Sequence, residues 1–168
     1  MKIQTRLVPA ALLTALLLPA QMSAQAQTPA QAQTPATALP AAWTGARLST
    51  ATYVILNPQM VGPNLLGGSD QASVLDAMRR DSGNALKRRY PGATISTDAI
   101  SAGAIHVTPV LNTPSALLPW LKLTARLDLT LPEGDRVSVG QEFTLWDVYQ
   151  HRAEAANYVY DQLAQRLP

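Results

Sequence analysis

The sequence predicts an α+β domain in which a mostly antiparallel sheet of four to five strands carries two helices packed on one face. Three patterns predict it. Leu121, Leu123, Ala125, Leu127, Leu129 and Leu131 put an apolar side chain at every second position, with Lys122, Thr124, Arg126, Asp128 and Thr130 between them. A period of two is that of a strand with one buried and one wet face. Pro132-Glu133-Gly134-Asp135 then turns the chain, and Val137, Val139, Phe143 and Leu145 resume the alternation, which makes a hairpin. The third pattern is a pair of stretches, 70–90 and 147–167, whose apolar residues recur at helical spacing.

Taken from the amino end, the first element is not structural. Lys2 and Arg6 flank the start of an apolar run over residues 7–20, and Ala24-Gln25-Ala26 supplies the small residues that signal peptidase requires. The run is shorter than the roughly 20 residues of a membrane-spanning helix. Residues 1–26 are therefore expected to be a secretory signal peptide, with Gln27 as the first mature residue and cleavage after Ala24 as the alternative. The chain has no cysteine, which removes lipid attachment, disulfides, thiolate nucleophiles and thiolate metal sites together. The expected localisation is periplasmic or extracellular, soluble and not as a lipoprotein, with no transmembrane span after cleavage. Residues 27–46, rich in Ala, Gln, Thr and Pro with a near-repeat of Gln-Thr-Pro-Ala, have little large and apolar to bury and read as a disordered tether. Residues 47–168 are left for a single domain.

Within it, the β-branched and aromatic Thr52-Tyr53-Val54-Ile55-Leu56 predicts a first strand over 49–56, stopped by Asn57-Pro58. Gly62-Pro63 and Gly67-Gly68 mark a loop, and Ser69 or Asp70 is placed to cap a helix over 70–90. Val74, Leu75, Met78, Ser82, Ala85 and Leu86 share one side of that helix. Asp76 and Arg80 lie opposite as an i,i+4 pair, Gly83 weakens the middle, and Pro91-Gly92 ends it. A short strand over 93–97 follows, then another over 105–108 that Pro109 confines to an edge or ends early. In the hairpin, odd-numbered residues face the core, and a register summing to 268 sets Arg126 across from Glu142. Asp147 with Gln150 three residues on approximates a capping box for one closing helix.

Charge excludes little and supports less. The formal net charge is +2, but two of the thirteen basic residues, Lys2 and Arg6, lie in the signal, leaving eleven against eleven acids. A neutral mature chain gives no electrostatic case for nucleic acid, which is not expected as a partner. The densest basic group, Arg79, Arg80, Lys87, Arg88 and Arg89, spreads around its helix; Arg80, Lys87 and Arg88 are the residues that an anionic polymer would meet. His106 and His151 stand on different elements without metal-ligand spacing, so no metal, cofactor or catalytic residue is assigned. Asp128, Glu133, Asp135 and Glu142 around the hairpin are interleaved with arginines and read as solvated strand charge, and Gly67-Gly68-Ser69-Asp70 lacks the lysine of a phosphate loop. The aromatic residues Trp120, Trp146, Tyr149, Tyr158 and Tyr160 are expected in core and edge packing, with a ligand pocket or partner surface as the alternative. One connector is unusual. Residues 112–120 include Leu117, Leu118 and Trp120, apolar bulk that a loop has no structural need for, and these three are the expected partner surface.

The early strand Tyr53 to Leu56, the helix ending at Tyr90-Pro91-Gly92 and the tail from Leu121 through Gly134 to Leu167 resemble the small periplasmic α/β domains related to the TolB amino-terminal domain and the LpoB-type envelope regulators. The resemblance covers about residues 53–167. It implies a non-catalytic binding or assembly role with an envelope protein as partner, and it brings over no catalytic residue. This chain departs from the group in lacking a lipobox cysteine, and no accompanying domain is expected. The alternatives are a small secreted hydrolase using His106 or His151, and binding of an anionic polymer through the basic helix over 79–89.

Overall fold

The computed structural model describes residues 39–63 and 65–168, so the expected signal peptide and most of the tether lie outside the described residues. The fold begins earlier than residue 47. Thr44 accepts a hydrogen bond from the Arg47 amide to cap a helical turn, α1 (Gly45–Leu48), and both Trp43 and Leu48 are buried in the main core. The sequence gives little sign of this, because Trp43 stands alone among small and polar residues.

Strands β1 (Thr52–Ile55), β2 (Gln59–Val61), β3 (Thr94–Ser96), β4 (Ile105–Asn112), β5 (Lys122–Thr130) and β6 (Arg136–Thr144) form one sheet. Its order is β3-β1-β4-β5-β6, with β2 paired to the far end of β4. The two long ladders, β4 to β5 and β5 to β6, are antiparallel, whereas β1 to β3, β1 to β4 and β2 to β4 are short and parallel. The sheet is thus mixed but mostly antiparallel. Helix α2 (Gly68–Arg89) crosses from β1 to β3, and α3 (Leu145–His151), a 3-10 turn (Arg152–Glu154) and α4 (Ala155–Ala164) close the chain. Helix α2 packs on β1, β3 and β4, α4 packs on β5 and β6, and the two helices pack on each other.

The core lies between those helices and the odd-numbered side of the sheet. Tyr53, Ile105, Val107, Leu127 and Leu129 meet Leu86, Tyr160 and Leu163 there, each almost fully buried. Burial of each such side chain contributes about 1.5–3 kcal/mol.

Gly67, with no side-chain bond, stands at the cap of α2 in place of Ser69 or Asp70, and four other expectations change. Pro109 does not place its strand at an edge: β4 runs on to Asn112 in the sheet interior. The Leu56 amide donates to the Val107 carbonyl, so odd residues of β4 turn their backbone groups toward β1 and β2. The missing N–H of Pro109 therefore faces the gap between the stretches of β4 paired with β1 and with β2, where no donor is needed. The hairpin keeps its odd-inward parity but slips by two, pairing Arg126 with Gly140 and Leu127 with Val139. Gly134, at φ 94°, makes the turn tighter than the expected register allowed. Arg126 then pairs with Asp128 at 3.1 Å, and Glu142 with Lys122 at 2.8 Å. Arg80 pairs with buried Asp81 at 2.9 Å in place of Asp76. Finally, the closing helix is two helices, because Thr144 and not Asp147 is the cap. Asp147 is the third residue of a capping box, and the chain breaks at Arg152.

Candidate functional site

The loop over residues 113–121 is held against the start of α3 by backbone bonds. Trp146 N–H donates to the Pro119 carbonyl at 3.0 Å, Leu145 N–H to Leu121 at 2.9 Å, and Leu121 N–H to Leu118 at 2.9 Å. Thr113 ties the other end of the loop to β2 and the loop after it, its amide donating to Val61 and its hydroxyl to Pro63. This fixes a ledge of apolar side chains facing outward. Leu117 is 58% exposed, Leu118 42% and Trp120 71%, and beside them Trp146 (52%) stacks on Tyr149 (66%) with ring centroids 6.0 Å apart. Leu117, Pro119, Leu145, Trp146, Val148 and Tyr149 line one open groove. The three residues expected to meet a partner are thus brought together with Trp146 and Tyr149, for which the sequence favours core and edge packing. Tyr158 is half-buried and Tyr160 fully buried, as packing requires.

Behind the ledge lies an apolar cavity of about 390 Å³. Met60, Leu111 and Leu123 from the sheet form its floor, and Val74, Ala77 and Met78 of α2 one wall. Ala156, Val159 and Tyr160 of α4 form the opposite wall, while Leu65 and Leu66 on one side and Pro114 and Leu117 on the other form its rim. Leu117, Leu145 and Val148 belong to both cavity and groove, so the two are continuous. The few polar groups are mostly spoken for. Ser73 donates to the Ser69 carbonyl at 3.0 Å, and Thr113 is bonded as above. Burial first, and then the nearby Asp81 carboxylate, push the Tyr160 hydroxyl far above the usual phenol range, so it remains protonated. Arg152 is the one charged side chain lining the cavity; it is exposed, and among the described residues its guanidinium has no ion pair or hydrogen bond. Leu65 and Leu66, which the sequence reading passed over, carry the same signal as Leu117 and Leu118, an apolar pair inside a connector.

The basic residues of α2 are already engaged. Arg80 holds Asp81, Lys87 donates to the carbonyls of Pro91 and Ala93 at 2.7 and 2.6 Å, and Arg88 binds Asp161 and Asn157 on α4. Arg79 donates to Asn57, and Arg89 to the Leu167 carbonyl at 3.0 Å. Apart from Arg80, whose partner lies on the same helix, these cations fasten the helix to its surroundings. His106 lies half-buried on β4 with Nε2 3.3 Å from the Ala99 carbonyl, and His151, at the end of α3, stacks on Tyr158 at 3.7 Å. Among the described residues neither histidine bonds a carboxylate or a serine, and no group of three metal-ligating side chains occurs. Nor is any described helix long and apolar enough to cross a membrane.

No protein-family model and no curated protein matches the chain. Among solved structures it is similar to PelC from Paraburkholderia phytofirmans, seen as a dodecamer, at 8% identity over 71% of this chain and 91% of that one, with a TM-score of 0.45. A neuraminyllactose-binding hemagglutinin homologue from Helicobacter pylori is 14% identical over 71% of this chain and 86% of its own, TM-score 0.40. A minor lipoprotein from Acinetobacter baumannii is 15% identical over 70% and 87%, TM-score 0.30. At these values the similarities say nothing of what this chain binds or how it assembles.

Proposed function

We propose that the chain is an exported, non-catalytic binding or assembly module of the cell envelope, with an envelope protein as partner and the ledge as its working surface. One observation carries the reading: Leu117, Leu118, Trp120, Trp146 and Tyr149 are all exposed and lie on two segments that backbone hydrogen bonds hold together. Clustered exposed apolar bulk is unfavourable for a free monomer and marks a contact surface, and tryptophan and tyrosine are the residues that most often dominate such contacts. The resemblance to TolB amino-terminal and LpoB-type domains, whose members generally bind or assemble without catalysis, agrees with it. Export rests on the signal-peptide pattern of residues 1–26. The test is crosslinking in intact envelope followed by mass spectrometry, comparing the wild type with a Leu117→Asp, Leu118→Asp variant. A protein captured by the wild type and lost from the folded variant supports the reading. Equal capture by both removes the ledge from it.

A further inference from the structure

We propose that the cavity behind the ledge binds a single-chain anionic amphiphile, its apolar tail among Met60, Val74, Met78 and Val159 and its anionic head at Arg152. The inference goes beyond the ledge reading, which concerns a protein partner and a surface that shares only Leu117 with the cavity lining. Its volume of about 390 Å³ lies at the lower end of the roughly 300–1,000 Å³ that small-molecule sites occupy. The walls are mostly hydrocarbon, with Ser73 and Thr113 already donating to backbone carbonyls and the Tyr160 hydroxyl the remaining uncharged polar group. A wholly apolar ligand would leave Arg152 without a role, and a peptide would bring backbone N–H and C=O groups that such walls cannot satisfy. A molecule that is apolar along one chain and negative at one end matches both halves of the site.

The backbone supplies a second observation. Arg152 sits at φ 47° and ψ −118°, the single non-glycine residue with positive φ among those described. It does so where α3 ends and the chain is redirected into α4. Residues other than glycine seldom hold such a conformation, and where one does, the side chain is commonly placed for a task. Here the redirection places Arg152 on the lining of the cavity.

The test is calorimetric titration of the exported protein, stripped of lipid, with dodecanoate below its micelle concentration and with dodecan-1-ol below its solubility limit. Dodecanoate is expected to bind saturably at one site and about fivefold more tightly than the alcohol, the advantage of one partly exposed ion pair. Arg152→Gln should remove that fivefold difference by weakening dodecanoate alone. Val74→Trp, which fills the cavity from α2, should weaken both ligands tenfold or more. Leu118→Asp with Trp120→Ala should leave both unchanged, since neither residue lines the cavity, so failure here and failure of the ledge reading are separable. Equal affinity for the two ligands, a fivefold preference that survives Arg152→Gln, or no saturable binding would overturn the proposal. The Arg152 variant alters an exposed side chain and keeps the test sound even if Val74→Trp does not fold.

Discussion

Replacing Gly83 with alanine should stabilise this fold, although a helix packed closely on a sheet is commonly where a glycine is needed. Gly83 lies inside α2 and is buried against the sheet. A β-carbon there would come 3.4 Å from Ile55 Cγ1 and 3.6 Å from Ile95 Cγ2, with no other contact within 4 Å. Both are ordinary van der Waals distances, so the methyl fits between β1 and β3 without displacing either. Alanine gains about 1 kcal/mol over glycine in a helix interior, and the strain of two contacts at these distances offsets little of it. The expected gain is about 1 kcal/mol, or about 4 °C in Tm for a domain of this size. Gly83→Val is the control, since its added methyl groups must overlap Ile55 and Ile95 and should cost about 1–3 kcal/mol. Urea unfolding followed by tryptophan fluorescence separates them, provided the slopes agree so that midpoints report stability. Destabilisation by alanine, or equal midpoints for alanine and valine, would mean that α2 does not approach the sheet as described.

Three further predictions concern other links in the account. Arg152→Gly should raise Tm, because glycine holds positive φ without the strain of about 1–3 kcal/mol that arginine carries, while it removes the preference for dodecanoate; a fall in Tm in scanning calorimetry would contradict the backbone argument. Hydrogen bonds from the Thr144 hydroxyl and amide hold the Asp147 carboxyl below its usual 3.8. A lowered folded-state value means stability that is present above 3.8 and lost as pH falls through the lower value, so the urea midpoint of Asp147→Asn should decline less on acidification than that of the wild type; parallel acid limbs would exclude the capping role. Mass spectrometry of the exported protein should show an amino terminus at Gln27, or at Gln25 as the alternative, and an intact Met1 would remove the signal-peptide reading.

The fold was legible where a single periodicity ran uninterrupted. Every odd residue from Leu123 to Leu129 is buried as the alternation requires, and α2 lies within two residues of its predicted bounds. Register was not legible, because parity fixes which face is buried but not which of two registers differing by two residues is taken. The choice fell to the turn at Gly134 and to the space that Gly140 leaves opposite Arg126, where an added β-carbon would lie 3.2 Å from that of Arg126. The break at Arg152 was hidden for a related reason. Apolar residues from Val148 to Leu167 continue at roughly helical spacing on both sides of it, so one long helix and two short ones have the same pattern. Mistaking Asp147 for the cap followed from that, and it concealed the exposure of Trp146 and Tyr149. For the site, the loop residues Leu117, Leu118 and Trp120 were readable because apolar bulk in a connector conflicts with its surroundings. The cavity was not, since its walls come from α2, α4, the sheet and two loops that only the tertiary fold brings together.

The most direct measurement of the central claim places a photoactivatable crosslinking residue at one position at a time in living cells. Position 118 or 120 samples the ledge, and position 138, exposed on β6, samples a surface away from it. The account predicts one envelope protein crosslinked from 118 and 120 and absent from 138. Capture of the same protein from 138 alone, or from all three positions alike, would contradict it.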